Sequence, residues 1–472
     1  MINSLEAWLR TCIRVVALLS MTTVFCSAQS NDVHQLARDI FKQIIEMKTT
    51  ESGVGSTPAV EAIAEHMRQG GYSGDEIFVG GPEPRKQNIV VRLHGRDRAA
   101  KPILLLAHLD VVEANKEDWS PDIDPFKLTV KDGFYYGRGT QDVKEGAAML
   151  AANMIRWKQE GWMPARDLVL ALTADEEGGG ANGVDWLLKN HRNLIEAEYC
   201  LNTDAGDFDE IDGKPFIVTI SSAEKKYVAI ALETRNRGGH GSLPRKDNAI
   251  YAMAAALDRV AAYQFPIDLN DITREQIKGE AELEKGARAT DMKKIAANPK
   301  DNGAGARLSE DPRLNALLRT TCVATEIQGG HAENALPQHV KAVFNCRVLP
   351  QEDPQSVLAA IKQAVNEPQV QVGWQTIDPQ PYPPSPLNPQ LLRVIETVVH
   401  ESYPNVHLMP SMEMGASDGK FLRGAGIPTY GVSGVFIEQS DTRSHGKDER
   451  LGIHEFDESV TFYDKLMKTL LK

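Results

Sequence analysis

Cysteine is scarce: there are five in 472 residues, and Cys12 and Cys26 lie in the first 28. Cys200, Cys322 and Cys346 remain, an odd and sparse set in apolar surroundings, so no disulfide framework and no cysteine-built metal site is expected. Positive charge is in deficit as well. The 52 lysines and arginines against 65 acids leave a formal charge of −13, which argues against a nucleic-acid backbone or an anionic membrane surface as the main partner. No second long apolar run follows the first, and no internal repeat is visible. At 42% hydrophobic and 25% charged residues, with 37 Gly and 25 Pro, the chain is neither collagen-like, coiled coil nor wholly disordered, and it has the length for two domains.

The amino-terminal segment differs from the rest. Arg10 and Arg14 precede a twelve-residue apolar run from Val15 to Cys26, and Cys26-Ser27-Ala28 places small residues before Gln29. Basic, apolar and small residues in that order read as a secretory signal peptide over 1–28, too short for a comfortable membrane span. A periplasmic or secreted mature chain with no membrane partner is therefore expected.

From Val33 to Ile45 apolar residues recur at helical spacing. Short apolar runs follow at Ile103 to Leu106, Leu168 to Leu172 and Tyr199 to Leu201, with a helical pattern from Gly146 to Trp157 between them. Such runs read as buried parallel strands, and their alternation with helices predicts an α/β sheet. After Ile217 the texture changes. Alternation at Tyr227 to Glu233, an Ala-rich helix at Ala249 to Ala262, and alternation around Val323 to Gln328 and Val340 to Leu349 predict a small β-α-β-β-α-β layer. Within it, the charged stretch Asp268 to Pro312 reads as a partly helical insertion. The Pro-rich stretch Pro379 to Pro389 marks the return to the larger unit. The expected division is 29–220 and 377–472 for the larger domain and 221–376 for the smaller.

The chemistry gathers where strands end. Ile103 to Leu106 runs into Ala107-His108-Leu109-Asp110, Leu168 to Leu172 into Asp175-Glu176-Glu177-Gly178, and Tyr199 to Leu201 into Asn202-Thr203-Asp204. A Gly-rich turn from Tyr136 to Gly146 brings Asp142 to a helix start. Ligand sites in open α/β sheets lie at the carboxyl ends of strands. One acid after a strand is usually a helix cap, but several acids and a His after separate buried strands repel one another unless a cation neutralises them. Mixed His and carboxylate donors suit Zn²⁺, and a shared carboxylate sets two ions about 3.5 to 4 Å apart. A dinuclear hydrolytic site is the reading these residues support.

The segments His108 to Asp110, Gly137 to Asp142, Asp175 to Gly178, Asp204, Gly238-Gly239-His240-Gly241-Ser242, Asn334-Ala335-Leu336-Pro337 and Ser444 to Glu449 resemble, in order, the motif series of the aminoacylase and carboxypeptidase family of co-catalytic zinc exopeptidases. Glu224-Lys225, Leu318 to Thr321 and His445 to Arg450 look most like its carboxypeptidase S branch, which includes secreted N-acyl amino acid hydrolases. The resemblance implies a zinc exopeptidase fold, with the smaller domain serving as lid and dimerisation domain of a homodimer. It also implies two Zn²⁺ ions: Asp142 bridging, His108 and Asp204 completing one site, Glu177 and His445 the other. Asp110 would orient the His108 imidazole, Glu176 would be the general base toward a zinc-activated water, and His240 would stabilise the oxyanion, often from the partner subunit. Asn334 and Arg347 would bind the substrate's backbone or carboxylate, although Cys346 stands where an acid is common. His445 is chosen over His454, which reads as part of the run into the final helix. The implied activity is hydrolysis of amide bonds in small peptides or N-acyl amino acids bearing a free carboxylate. A metal-free binding protein is the alternative, but it would have lost Glu176, Glu177 or His445, and all three are present.

Overall fold

The computed structural model describes residues 33–178, 180–377 and 382–472. The segment read as a signal peptide lies outside them. Among the described residues no helix is long and apolar enough to cross a membrane.

The three apolar runs are neighbours in one ten-stranded sheet. Leu168–Thr173, Ile103–His108, Tyr199–Asn202 and Thr429–Gly431 form its parallel centre. Lys86–Leu93 and Ile77–Glu83 extend one side antiparallel, and Lys214–Glu224 joins the other antiparallel, itself flanked by Phe208–Ile211 and His407–Glu413. The central strands are continuously apolar because both faces are covered. Leu105, Leu170 and Leu201 face the helices 33–45, Thr57–Gln69, Lys144–Gln159 and Ile453–Leu470. Leu104, Val169 and Cys200 face Val184, Leu187 and Leu422 on the other side.

The smaller layer is an antiparallel sheet in the order Thr321–Gly329, His339–Val348, Lys226–Arg235, Val370–Ile377. Ala249–Ala262 and Pro354–Val365 pack on one face of it, giving the β-α-β-β-α-β order expected from the alternation. The fold is therefore α/β with an inserted α+β layer.

Two expectations change. Cys322 and Cys346 form a disulfide, leaving Cys200 free and buried; the antiparallel register sets the two residues directly opposite each other, with Cα atoms 4.1 Å apart. An odd count does not forbid one pair, and the register that creates it joins residues 24 apart. The stretch Asp268 to Pro312 is also more than an insertion within the smaller layer. The helices Asp271–Leu283, Gly286–Ala297, Asn302–Leu308 and Pro312–Leu318 share an apolar core with Ala223 and Met412 of the large sheet and with Leu349 beside the small one. Gly279 allows the close approach, since a Cβ there would sit 3.1 Å from Met409 Cβ, and Met412 donates its N–H to Gln276 Oε1 at 3.0 Å.

Candidate metal centre

Because Leu168–Thr173, Ile103–His108 and Tyr199–Asn202 are adjacent and parallel, the chain leaves all three at one edge. That edge brings together His108, Glu176, Glu177 and Asp204. Asp142 arrives from the turn before the helix Lys144–Gln159, and His445 from the loop after Phe436–Glu438.

Asp142 stands at the middle. Its Oδ1 lies 3.1 Å from His108 Nε2 and its Oδ2 2.9 Å from His445 Nε2. Each imidazole faces a further carboxylate: His108 Nε2 is 3.7 Å from Asp204 Oδ1, and His445 Nε2 is 2.8 Å from Glu177 Oε1. Donor atoms of His108, Asp142 and Glu177 lie within 4.8 Å of one another, as do those of His108, Glu176 and Asp204. The two groups share His108, and Asp142 is the carboxylate that both imidazoles face.

The electrostatics say what this set can hold. Burial, followed by the charge of Asp204, pushes Glu176 up to about 10, and burial pushes Asp204 up to about 7. Hydrogen bonds to Asp142 and Glu177 raise His445 to about 10. Burial works downward on His108, but Asp204 and Asp142 outweigh it and hold the ring well above its ordinary value. Burial works upward on Asp142, but the two imidazoles outweigh it and hold the carboxyl well below its usual range. The cluster needs positive charge at two places. Divalent cations supply that charge while taking neutral imidazole as ligand, so the donor set fits a pair of them.

Asp110 does more than the sequence suggests, and by other atoms. His108 Nδ1 is 2.9 Å from the Asp110 backbone carbonyl, whereas the carboxylate lies 3.8 Å away, beyond hydrogen-bond reach. The carboxylate instead accepts the backbone N–H groups of Glu176 (3.1 Å) and Glu177 (2.9 Å). It anchors the loop that carries both acids.

Three predicted residues lie apart on the smaller layer. His240 sits on the short strand Gly239–His240, paired with Ala335–Leu336, and Gly241 N–H donates to Asn334 O at 2.7 Å. The Gly-rich and Asn334 motifs are thus brought together, though on a different sheet from the cluster. Ser242 meets His240 Nδ1 with its N–H at 3.2 Å and its Oγ at 2.7 Å. Arg347 lies over the Tyr227 ring, 5.2 Å from its centroid. His454 is 75% exposed beside Glu458 in the first turn of the last helix.

Supporting residues were missed. Glu449 accepts from Arg138 Nη1 (2.5 Å) and from the N–H groups of Gly139 and Gln141, tying the Asp142 turn to the His445 segment. Lys86 pairs with Asp175 at 2.8 Å across the strand edge. Glu449 and Asp175 lay inside recognised motifs, so their place was signalled; Lys86 carried no signal. A cavity of about 180 Å³, lined in part by Lys86, Asp110, Val111 and Glu177, opens beside the cluster.

An edge-of-sheet cluster of this kind on this two-layer fold defines a metal-dependent peptidase and amidohydrolase. Residues 104–469 match the model of peptidase family M20/M25/M40, and the chain belongs to that family. It is 27% identical over 389 residues to human N-fatty-acyl-amino acid synthase/hydrolase PM20D1, covering 80% of this chain and 75% of that protein. It is 26% identical to the probable carboxypeptidase S-like 2 of Dictyostelium discoideum, covering 82% and 75%. The M20 family metallo-carboxypeptidase Sso-CP2 of Sulfolobus solfataricus shares the fold with a TM-score of 0.66 at 16% identity, over 91% of this chain and 98% of that one.

Proposed function

We propose that the protein is an exported hydrolase that uses two zinc ions to cleave the amide bond of N-acyl amino acids or small peptides whose carboxylate is free. The observation that carries this reading is Asp142, whose two oxygens face two imidazoles, each backed by another carboxylate. His108, Asp142 and Asp204 would hold one ion, and Asp142, Glu177 and His445 the other. Bound there, the ions supply Lewis acidity that polarises the scissile carbonyl and makes water a nucleophile at neutral pH.

The chain's own groups do the rest. With cations bound beside it, Glu176, raised to about 10 in their absence, would be ionised; it then accepts the proton of the attacking water and returns it to the leaving nitrogen, so that an amine departs in place of an amide anion. His240 donates to the oxygen on which charge develops. Arg347 and Asn334 take the substrate carboxylate, a role suited to a planar guanidinium. Reach from His240 to the cluster would come through closure of the smaller layer, 221–376, or from a second copy. The outer strand Thr321–Gly329, with Val323 and Ile327 exposed, offers an apolar edge for such a homodimer. The Cys322–Cys346 disulfide agrees with an oxidising compartment and so with export.

The deciding experiment is metal analysis of the purified protein together with hydrolysis of a panel of N-acyl amino acids and peptides, each with a free and a blocked carboxylate. Glu176→Gln should keep the metal and lose about 10² to 10⁴ in kcat. Retention of a tenth of the wild-type rate, or equal rates on blocked substrates, would overturn the proposal.

A further inference from the structure

Under the cluster runs a chain of buried polar side chains that none of these roles employs. Glu224 is the last residue of Lys214–Glu224, immediately before the chain crosses through Lys225 to the smaller sheet. Its carboxylate accepts from Ser417 Oγ at 2.6 Å and from Ser417 N–H at 3.2 Å, and it is ion-paired with Arg423. Ser417 Oγ also accepts from Asn202 Nδ2 at 3.2 Å, and Asn202 Oδ1 accepts the N–H of Asp204 at 3.2 Å. The next residue, Asp418, accepts from Thr173 Oγ1 at 2.8 Å and Asn182 Nδ2 at 2.5 Å. Thr173 and Asn182 stand at the two ends of the loop that carries Glu176 and Glu177. All of these side chains except Asn182 are buried.

A buried ion pair contributes little to stability over an apolar substitute, and its attested use is to fix geometry. Here the geometry fixed is that of one short segment, Ser417-Asp418. One branch from it reaches the backbone of Asp204, and the other spans both ends of the Glu176 loop. We infer that Ser417, anchored by Glu224, is a positioning residue for the reaction, setting the Glu176 loop and Asp204 relative to one another. The inference rests on the reading of Glu176 as proton acceptor. Ser417 touches no reacting atom; it acts through Asn202 and, by way of its neighbour Asp418, through Thr173 and Asn182.

The test uses the full-length, metal-loaded enzyme and the small change Ser417→Ala, which removes the hydroxyl link to Glu224 and Asn202 and keeps the backbone bond. The expected result is a fall of about tenfold in kcat, with KM and metal content within twofold of wild type and faster amide exchange confined to residues 173–178 and 202–204. A purely structural role would lower the melting temperature and leave kcat and those amides unchanged, and that outcome overturns the inference. So does a change in KM alone. Glu176→Gln is assayed beside it. If that variant stays active, the proton-acceptor reading falls; if it is dead while Ser417→Ala is fully active, only the positioning role falls.

Discussion

Replacing Asp110 by Asn tests how the Glu176–Glu177 loop is held. The aspartate accepts two backbone N–H groups, one on each oxygen, at 3.1 and 2.9 Å, and only a carboxylate presents two acceptors in that fork. Asparagine keeps one acceptor and turns the other into a donor aimed at an N–H. One of the two amides then loses its partner. Hydrogen bonds to charged groups are worth roughly 1.5–3 kcal/mol, and an unsatisfied buried group costs roughly 1–3 kcal/mol. The loop relieves that cost by moving, and the groups that move with it are the candidate base and a candidate ligand. A displacement equivalent to about 1.4–2.7 kcal/mol in the transition state lowers kcat/KM by about 10- to 100-fold. The His108 ring should stay in place, because its Nδ1 bonds the backbone carbonyl of residue 110, which the substitution leaves intact. The assay is steady-state kinetics at saturating zinc, with metal content measured on the same sample. An Asp110→Asn enzyme within twofold of wild type in kcat/KM, at equal metal content, would refute the reasoning.

His445→Ala should lower zinc content and activity together, whereas His454→Ala should leave both near wild type; zinc titration of the two variants separates them, and the reverse pattern means the ligand is misassigned. Since carboxylate hydrogen bonds raise His445 to about 10, its ring is protonated at neutral pH and must lose that proton to bind a metal, so zinc affinity should rise with pH through the neutral range. Calorimetric zinc titration in buffers of different ionisation enthalpy should report proton release, and heats independent of the buffer would exclude it. His240→Ala should lose about 10² to 10³ in kcat while keeping its metal. If His240 reaches a second copy, mixing that variant with Glu176→Gln should restore some activity, and a mixture still inactive after demonstrated subunit exchange rules out the reach between copies.

How much could be read from the chain alone follows from the range of each interaction. The strands at Ile103, Leu168 and Tyr199 were legible because burial on both faces leaves a continuous apolar run, and the end of each run points to a site residue. The smaller layer was legible through its period-two alternation. The Cys322–Cys346 bond was not, because it depends on strand register, which side-chain pattern alone does not reveal when the paired residues are 24 apart. The task of Asp110 was half visible: its position two residues past His108 marked it, but its carboxylate bonds amides 66 and 67 residues away. The buried set around Glu224, Ser417 and Arg423 offered only short motifs, since its partners come from four separate stretches of chain.

The helices between Asp271 and Leu318 change how the two sheets can move against each other. The chain crossing at Glu224–Lys226 would by itself make a door on a hinge. The helices add a bracket. They are sewn to the large sheet through Ala223, Met412 and the close approach at Gly279, and to the border of the small one through Leu349. Swinging the small sheet inward must either drag this bracket off the strand His407–Glu413 or slide it past Leu349, and both expose packed apolar surface. A door so braced swings only by giving up part of that packing.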